Sequence, residues 1–180
     1  MTGGNRGRVP SLRWRLAVAG VLAAVFLLAD QLTKLAVRDA VAHGFTGADL
    51  VPGVVGLRYV ENIGASFSIG EGLSPLFALF AVAVVCGSVA YLMRAPLVSR
   101  LEVIGLGMVA GGAIGNAIDR VALGFVTDFI ATEFIEFPVF NIADIGITCG
   151  VAIAFIGFVI SPANRELAAD TDRGGAGHGR

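Results

Sequence analysis

The chain has 180 residues, 56% of them hydrophobic and only 15% charged, with a mean hydropathy of +0.80. That is too much apolar surface for a water-soluble domain of this size, so the composition points to an integral membrane protein. A net charge of −1 with scattered basic clusters excludes a nucleic-acid-binding face, and two histidines, His43 and His178, are too few for a histidine zinc site or a Ser-His-Asp triad.

Residues 1–12 are rich in Gly and Arg, lack periodicity and read as a disordered tail. Arg13, Trp14 and Arg15 suit a membrane interface. The apolar run from Leu16 resembles a secretory leader, but it continues without a small-residue cleavage site, and 16–37 is long enough to span a bilayer. Residues 38–73 are mixed, with turn signals at His43-Gly44, Pro52-Gly53 and Gly70-Glu71-Gly72 and β-like pieces at Val54–Val60 and Ser66–Ile69, which predicts a small sheet lying on the membrane. A second span covers 75–93, opened by Ser74-Pro75 as cap and first turn. After a basic turn, 94–100, the third span covers 101–118, with Gly107, Gly111 and Gly115 spaced for close helix packing. Residues 119–138 form a connection broken at Gly124, and the fourth span, 139–160, is stopped by Ser161-Pro162. Residues 163–180 read as a second disordered tail, so 13–162 form one four-span domain. Cys86 and Cys149 lie in apolar runs and read as packing residues.

Arginines cluster before span one, between spans two and three and after span four, while the other two loops are acid-rich. The positive-inside rule therefore sets both termini in the cytoplasm and residues 38–73 and 119–138 outside. In that arrangement Asp30, Lys34, Asn116, Asp119, Arg120, Asn141 and Asp144 lie at one level near the outer boundary. Helical spacing lets Asp30 and Lys34, the Asn116–Asp119–Arg120 set, and Asn141 with Asp144 each share a face. Ionisable groups at membrane depth are a functional site by default, and Asp128 and Asp144 are its expected reacting pair. Two nearby carboxylates without a histidine share a proton, so that one activates a water against an amide. Three alternatives use the same residues: interfacial groups snorkelling to water, a Mg²⁺ site on Asp119, Asp128 and Asp144, and a proton carrier relaying through Asp30 and Lys34.

Five motifs carry a resemblance over roughly residues 14–160: Asp30-Gln31-Leu32-Thr33-Lys34, Asn62-Ile63-Gly64-Ala65-Ser66-Phe67, the run from Gly111 to Arg120, Val126-Thr127-Asp128-Phe129, and Phe140-Asn141-Ile142-Ala143-Asp144. Together they resemble lipoprotein signal peptidase, the type II signal peptidase of bacteria, apart from Ser66, where that family often has alanine. The resemblance implies an aspartic endopeptidase of the bacterial inner membrane, with its active site at the outer face. It implies cleavage of diacylglyceryl-modified prolipoproteins just before the lipidated cysteine. Asp128 and Asp144 take the catalytic places; Asn62, Asn116, Arg120 and Asn141 those that hold substrate and orient the dyad; and Asp30, Lys34 and Asp119 supporting ones. No cofactor or metal is implied. The expected partners are prolipoprotein substrates and membrane lipid, with the chain acting as a monomer. The implied fold is an all-α membrane protein of four transmembrane helices. To these it adds a small extracytoplasmic β-cradle, fitting 44–70, and a short periplasmic helix, fitting 125–137.

Overall fold

Four long helices account for most of the computed structural model, which describes residues 9–64 and 74–161. In chain order the elements are α1 (Leu12–Ala42), β1 (Ala48–Val51), β2 (Val55–Asn62), α2 (Ser74–Arg94), α3 (Arg100–Leu123), β3 (Val126–Thr132) and α4 (Ile142–Val159). All four helices are long and apolar enough to cross a membrane. The expected strand at Ser66–Ile69, the departure at Ser66, the Gly70–Gly72 turn and the tail expectations for 1–8 and 163–180 lie outside the described residues.

The helix ends explain where the expected spans and the observed helices part. The Ser11 hydroxyl accepts from the Trp14 N–H, so α1 begins at Leu12. It runs on to Ala42, and the half-buried Arg38 in this extension reaches Thr127 of β3 and Asp119 of α3. At α3, Ser99 and Glu102 form a capping box in which each side chain accepts the other's backbone N–H. That helix runs five residues past its expected end, to Leu123, and stops where Gly124 turns left-handed at φ +85°. Asp119 and Arg120 are therefore helical. A second capping box, Asn141 with Asp144, starts α4 at Ile142. Ser74 is the first residue of α2, and its hydroxyl donates to the Gly124 carbonyl.

α3 is the axis of the bundle, packed by α1, α2 and α4. The glycine stripe makes this possible. A Cβ on Gly111 would sit 2.9 Å from the Ala23 Cα, and one on Gly107 equally close to the Ala19 Cα, so α1 and α3 meet backbone to backbone. α1, α2 and α4 turn large side chains outward instead, among them Val25, Leu28, Phe80 and Phe155. A shell apolar on the outside, with charge buried inside, is what hydrocarbon solvent selects. At one end of α1, Arg15 is buried and donates to the carbonyls of Pro10, Leu92 and Ala95, stapling α1 to the turn between α2 and α3.

At the other end lies a three-stranded antiparallel sheet of order β1-β2-β3. The short helix expected over 125–137 is not there: residues 126–132 are β3, paired along β2 from Val55↔Thr132 to Asn62↔Val126. Val126, Thr127, Ile130 and Thr132 are β-branched and suit a half-buried strand, and β2 supplies the partner that a sequence pattern does not display.

Candidate active site

β3 and the start of α4 bring the expected reacting residues together. Asp128 is the third residue of β3 and is 2% exposed; Asp144 is in the first turn of α4. An isolated bridge from Ile130 to Phe140, with paired hydrogen bonds of 2.8 and 3.0 Å, ties the approach to α4 against β3. Asn141, the next residue, therefore lies beside Asp128.

Asn141 joins the two carboxylates. Its amide donates to Asp128 Oδ1 at 2.7 Å, its backbone N–H donates to Asp144 Oδ2 at 3.1 Å, and its Oδ1 accepts the Asp144 N–H at 3.0 Å. Asn62 reaches Asp128 from the opposite side, donating to Oδ2 at 2.9 Å. It can do so because the β2–β3 register slips by one residue: Arg58 and Tyr59 of β2 stand opposite Phe129 alone. Without that bulge Asn62 would point to the other face of the sheet from Asp128.

The third asparagine faces Asp144. Asn116 of α3 donates to Asp144 Oδ1 at 2.8 Å, and its own Oδ1 accepts from Asn141 at 3.1 Å and from Lys34 Nζ at 2.8 Å. Lys34 is fully buried and also contacts Asp30 at 2.9 Å and Asp119 at 3.3 Å. One ammonium between two carboxylates in an apolar bundle is tolerable only because each partner is further satisfied. Asp30 accepts the Ala143 N–H at 2.9 Å, and Asp119 accepts the Thr127 N–H at 2.9 Å with Arg38 at 3.7 Å. These bonds fix both ends of the pair: Ala143 directly precedes Asp144, and Thr127 directly precedes Asp128.

Sequence reasoning missed three members of this network. Gln31 donates to Asp30, the Gly115 carbonyl and Asp119; Arg38 donates to the Thr127 hydroxyl at 3.0 Å; and Thr127 is fully buried. Arg38 follows Lys34 by four residues on one helix face, a spacing that could have found it. Gln31 and Thr127 lie inside the first and fourth motifs, but no spacing there gives either a role.

A cavity of about 530 Å³ opens onto Asp128, Asp144, Asn62, Asn116 and Arg120, with apolar walls from Phe77, Val84, Phe140 and Ile147. Arg120 donates to the Gly64 carbonyl at 3.1 Å and lies over the Phe77 ring, 5.2 Å from its centroid, while its buried Nε has no partner among the described residues. Asp119 faces Lys34 and Thr127 instead of this cavity, so the three carboxylates of the Mg²⁺ alternative do not converge. Burial pushes the Asp128 carboxyl up to about 6; the Asn62 and Asn141 hydrogen bonds pull the other way, and the neighbouring Asp144 charge raises it. A buried pair, one of whose members gives up its proton only near pH 6, is equipped for general acid–base chemistry on a bound water.

Three comparisons bear on this geometry. Residues 22–160 match the family model for signal peptidase (SPase) II. A lipoprotein signal peptidase of Gloeobacter violaceus is 40% identical over 86% of this chain and 94% of its own length. One from Streptococcus pneumoniae is 37% identical over 78% and 91%. Among solved structures, a bacterial membrane enzyme determined by the in meso method at 2.3 Å resolution superposes with a TM-score of 0.73 at 26% identity, over 80% of this chain and 88% of that one. With most of its length matched by the family model, the chain belongs to the signal peptidase II family.

Proposed function

We propose that Asp128 and Asp144 are the catalytic pair with which this aspartic endopeptidase removes signal peptides from prolipoproteins. The observation that carries the reading is Asn141, which hydrogen-bonds both carboxylates at the wall of one cavity. In this mechanism Asp144 is the base and Asp128 the acid. Asp144 lies where the N-terminal N–H groups of α4 point, a position that suits a negative charge. Asp128 keeps its proton because burial disfavours its charged form.

A water between them gives one proton to Asp144 as its oxygen bonds to the scissile carbonyl carbon, and Asp128 protonates the carbonyl oxygen. Collapse of the resulting diol breaks the C–N bond and passes a proton to the leaving nitrogen, so no covalent enzyme intermediate forms. Asn62, Asn141 and Asn116 hold the carboxylates in place. Arg120 offers its Nε–H, which has no partner among the described residues, to the substrate main chain.

The reading extends to placement. The arginine bias supports cytoplasmic termini and an active site at the outer face, where an exported lipoprotein still carries its leader in the bilayer. Residues 13–162 then act as one domain, as a monomer in membrane lipid, cutting before the lipid-bearing cysteine. The test is cleavage of a lipidated prolipoprotein by purified protein. Asp128→Asn and Asp144→Asn should each lower turnover by roughly 10³-fold or more while still folding. Near-wild-type turnover in either variant would remove that residue from the pair.

A further inference from the structure

The cavity at the dyad continues along the bundle. A second cavity of about 430 Å³ shares Val84 and Val109 with it and reaches Ser88, Tyr91 and Glu102. α2 and α4 both pack on α3 but scarcely on each other, so the two cavities make one furrow between them. Its walls are apolar until the far end, where Glu102 is the one charged side chain among the described residues that line the second cavity. Glu102 is 2% exposed and accepts the Ser99 N–H at 2.8 Å and the Tyr91 hydroxyl. Two of the arginines at this end are turned to other tasks: Arg15 to the turn carbonyls, Arg100 to the Trp14 ring.

The furrow has a usable length. From Phe77 beside the dyad to Tyr91, α2 advances about 14 residues, or about 21 Å at ~1.5 Å per residue. A helical substrate segment leaving the dyad spans that distance with about the same number of residues. A secretory leader has an apolar stretch of roughly 7–15 residues preceded by a basic segment. The apolar stretch matches the walls and the basic segment arrives at Glu102.

We infer that the Glu102–Tyr91 end of this furrow is a subsite for the Lys or Arg side chains at the start of the leader, selecting substrates by the charge that precedes their apolar stretch. The inference rests on the peptidase reading above. A lipid acyl chain would also suit the walls, but it gives a buried carboxylate nothing, whereas an ammonium or guanidinium group supplies a charge-assisted hydrogen bond.

The experiment uses the full chain in nanodiscs of zwitterionic lipid and two lipidated prolipoprotein peptides. The peptides are identical except that one begins its leader with lysines and the other with glutamines. In the wild type kcat/KM should favour the basic peptide roughly tenfold, the size of one charge-assisted hydrogen bond. In Glu102→Gln, whose amide oxygen can still accept the Ser99 N–H, the ratio should fall to about one. Tyr91→Phe, which frees a carboxylate oxygen, should keep the ratio or raise it. If Glu102→Gln fails to accumulate, Ser88→Lys serves, since a cation fixed at the same end should push the ratio below one. Equal cleavage of the two peptides by the wild type, or a ratio that survives Glu102→Gln, would overturn the subsite and leave the furrow to a lipid chain. Cleavage of neither peptide by the wild type would instead defeat the peptidase reading.

Discussion

At the scale of single residues, the proposed pair consists of two chemically identical side chains in different surroundings. Asp128 is buried in the sheet and flanked by two amides, whereas Asp144 sits in the first turn of a helix. The consequence for stability has a definite sign. The folded Asp128 titrates near 6, above the ordinary 3.8, so its contribution is fully present in acid and is lost as pH rises through about 6. Asp128→Asn carries no such burden. Its stability advantage over the wild type should be small at pH 4 and grow by up to about 3 kcal/mol by pH 8. Denaturant unfolding in detergent at the two pH values measures this, and a gap that does not widen would show that Asp128 is not the proton holder. The same titration predicts that kcat/KM falls on the alkaline side as the pair loses its shared proton.

At the scale of elements, the bulge in β2 decides whether Asn62 can serve the site. Arg58 and Tyr59 oppose one residue of β3, and this shift sets Asn62 on the face of Asp128. Deleting Tyr59 removes the extra residue. A regular ladder then keeps Asn62 opposite Val126 and on the face of Asp128, so turnover should stay within a few-fold of wild type, whereas Asn62→Ala should fall roughly 10-fold to 100-fold below it. The thermal midpoint should change little, because Arg58 to Glu61 of β2 are half-buried or exposed. Turnover in the deletion as low as in Asn62→Ala would mean that the bulge itself, and not only the pairing with Val126, aims Asn62 at Asp128. Two capping boxes act at the same scale and were readable as Ser99-x-x-Glu102 and Asn141-x-x-Asp144. The second one corrects the simpler view of Asn141 and Asp144 as neighbours on a helix face. Asn141 is the cap itself, and this frees its amide to reach Asp128.

For the whole molecule, the decisive property is direction across the bilayer, since a peptidase for exported lipoproteins needs its dyad on the outer side. Ala48 and Glu136 are exposed at the sheet end, Pro96 at the turn between α2 and α3. With Cys86 and Cys149 replaced by alanine, single cysteines at Ala48 and Glu136 should react with a membrane-impermeant thiol reagent in intact cells. One at Pro96 should react only after permeabilisation. Labelling of the Pro96 position from outside would invert the topology and put Asp128 and Asp144 at the cytoplasmic boundary.

The amino-acid sequence by itself determined the four spans and the glycine stripe on α3. These follow from length, hydropathy and spacing along one segment, which hydrocarbon tests locally. It also displayed the motifs that hold the two aspartates. Tertiary structure alone decided that 126–132 is a strand, because its partner β2 lies more than sixty residues earlier in the chain. It alone showed Lys34 as a hub joining Asp30, Asp119 and Asn116, and it alone drew Gln31, Arg38 and Thr127 into that network. Such convergence depends on the relative rotation of separate helices and on strand register. Both are fixed by packing between distant segments, and no single segment carries a local trace of them.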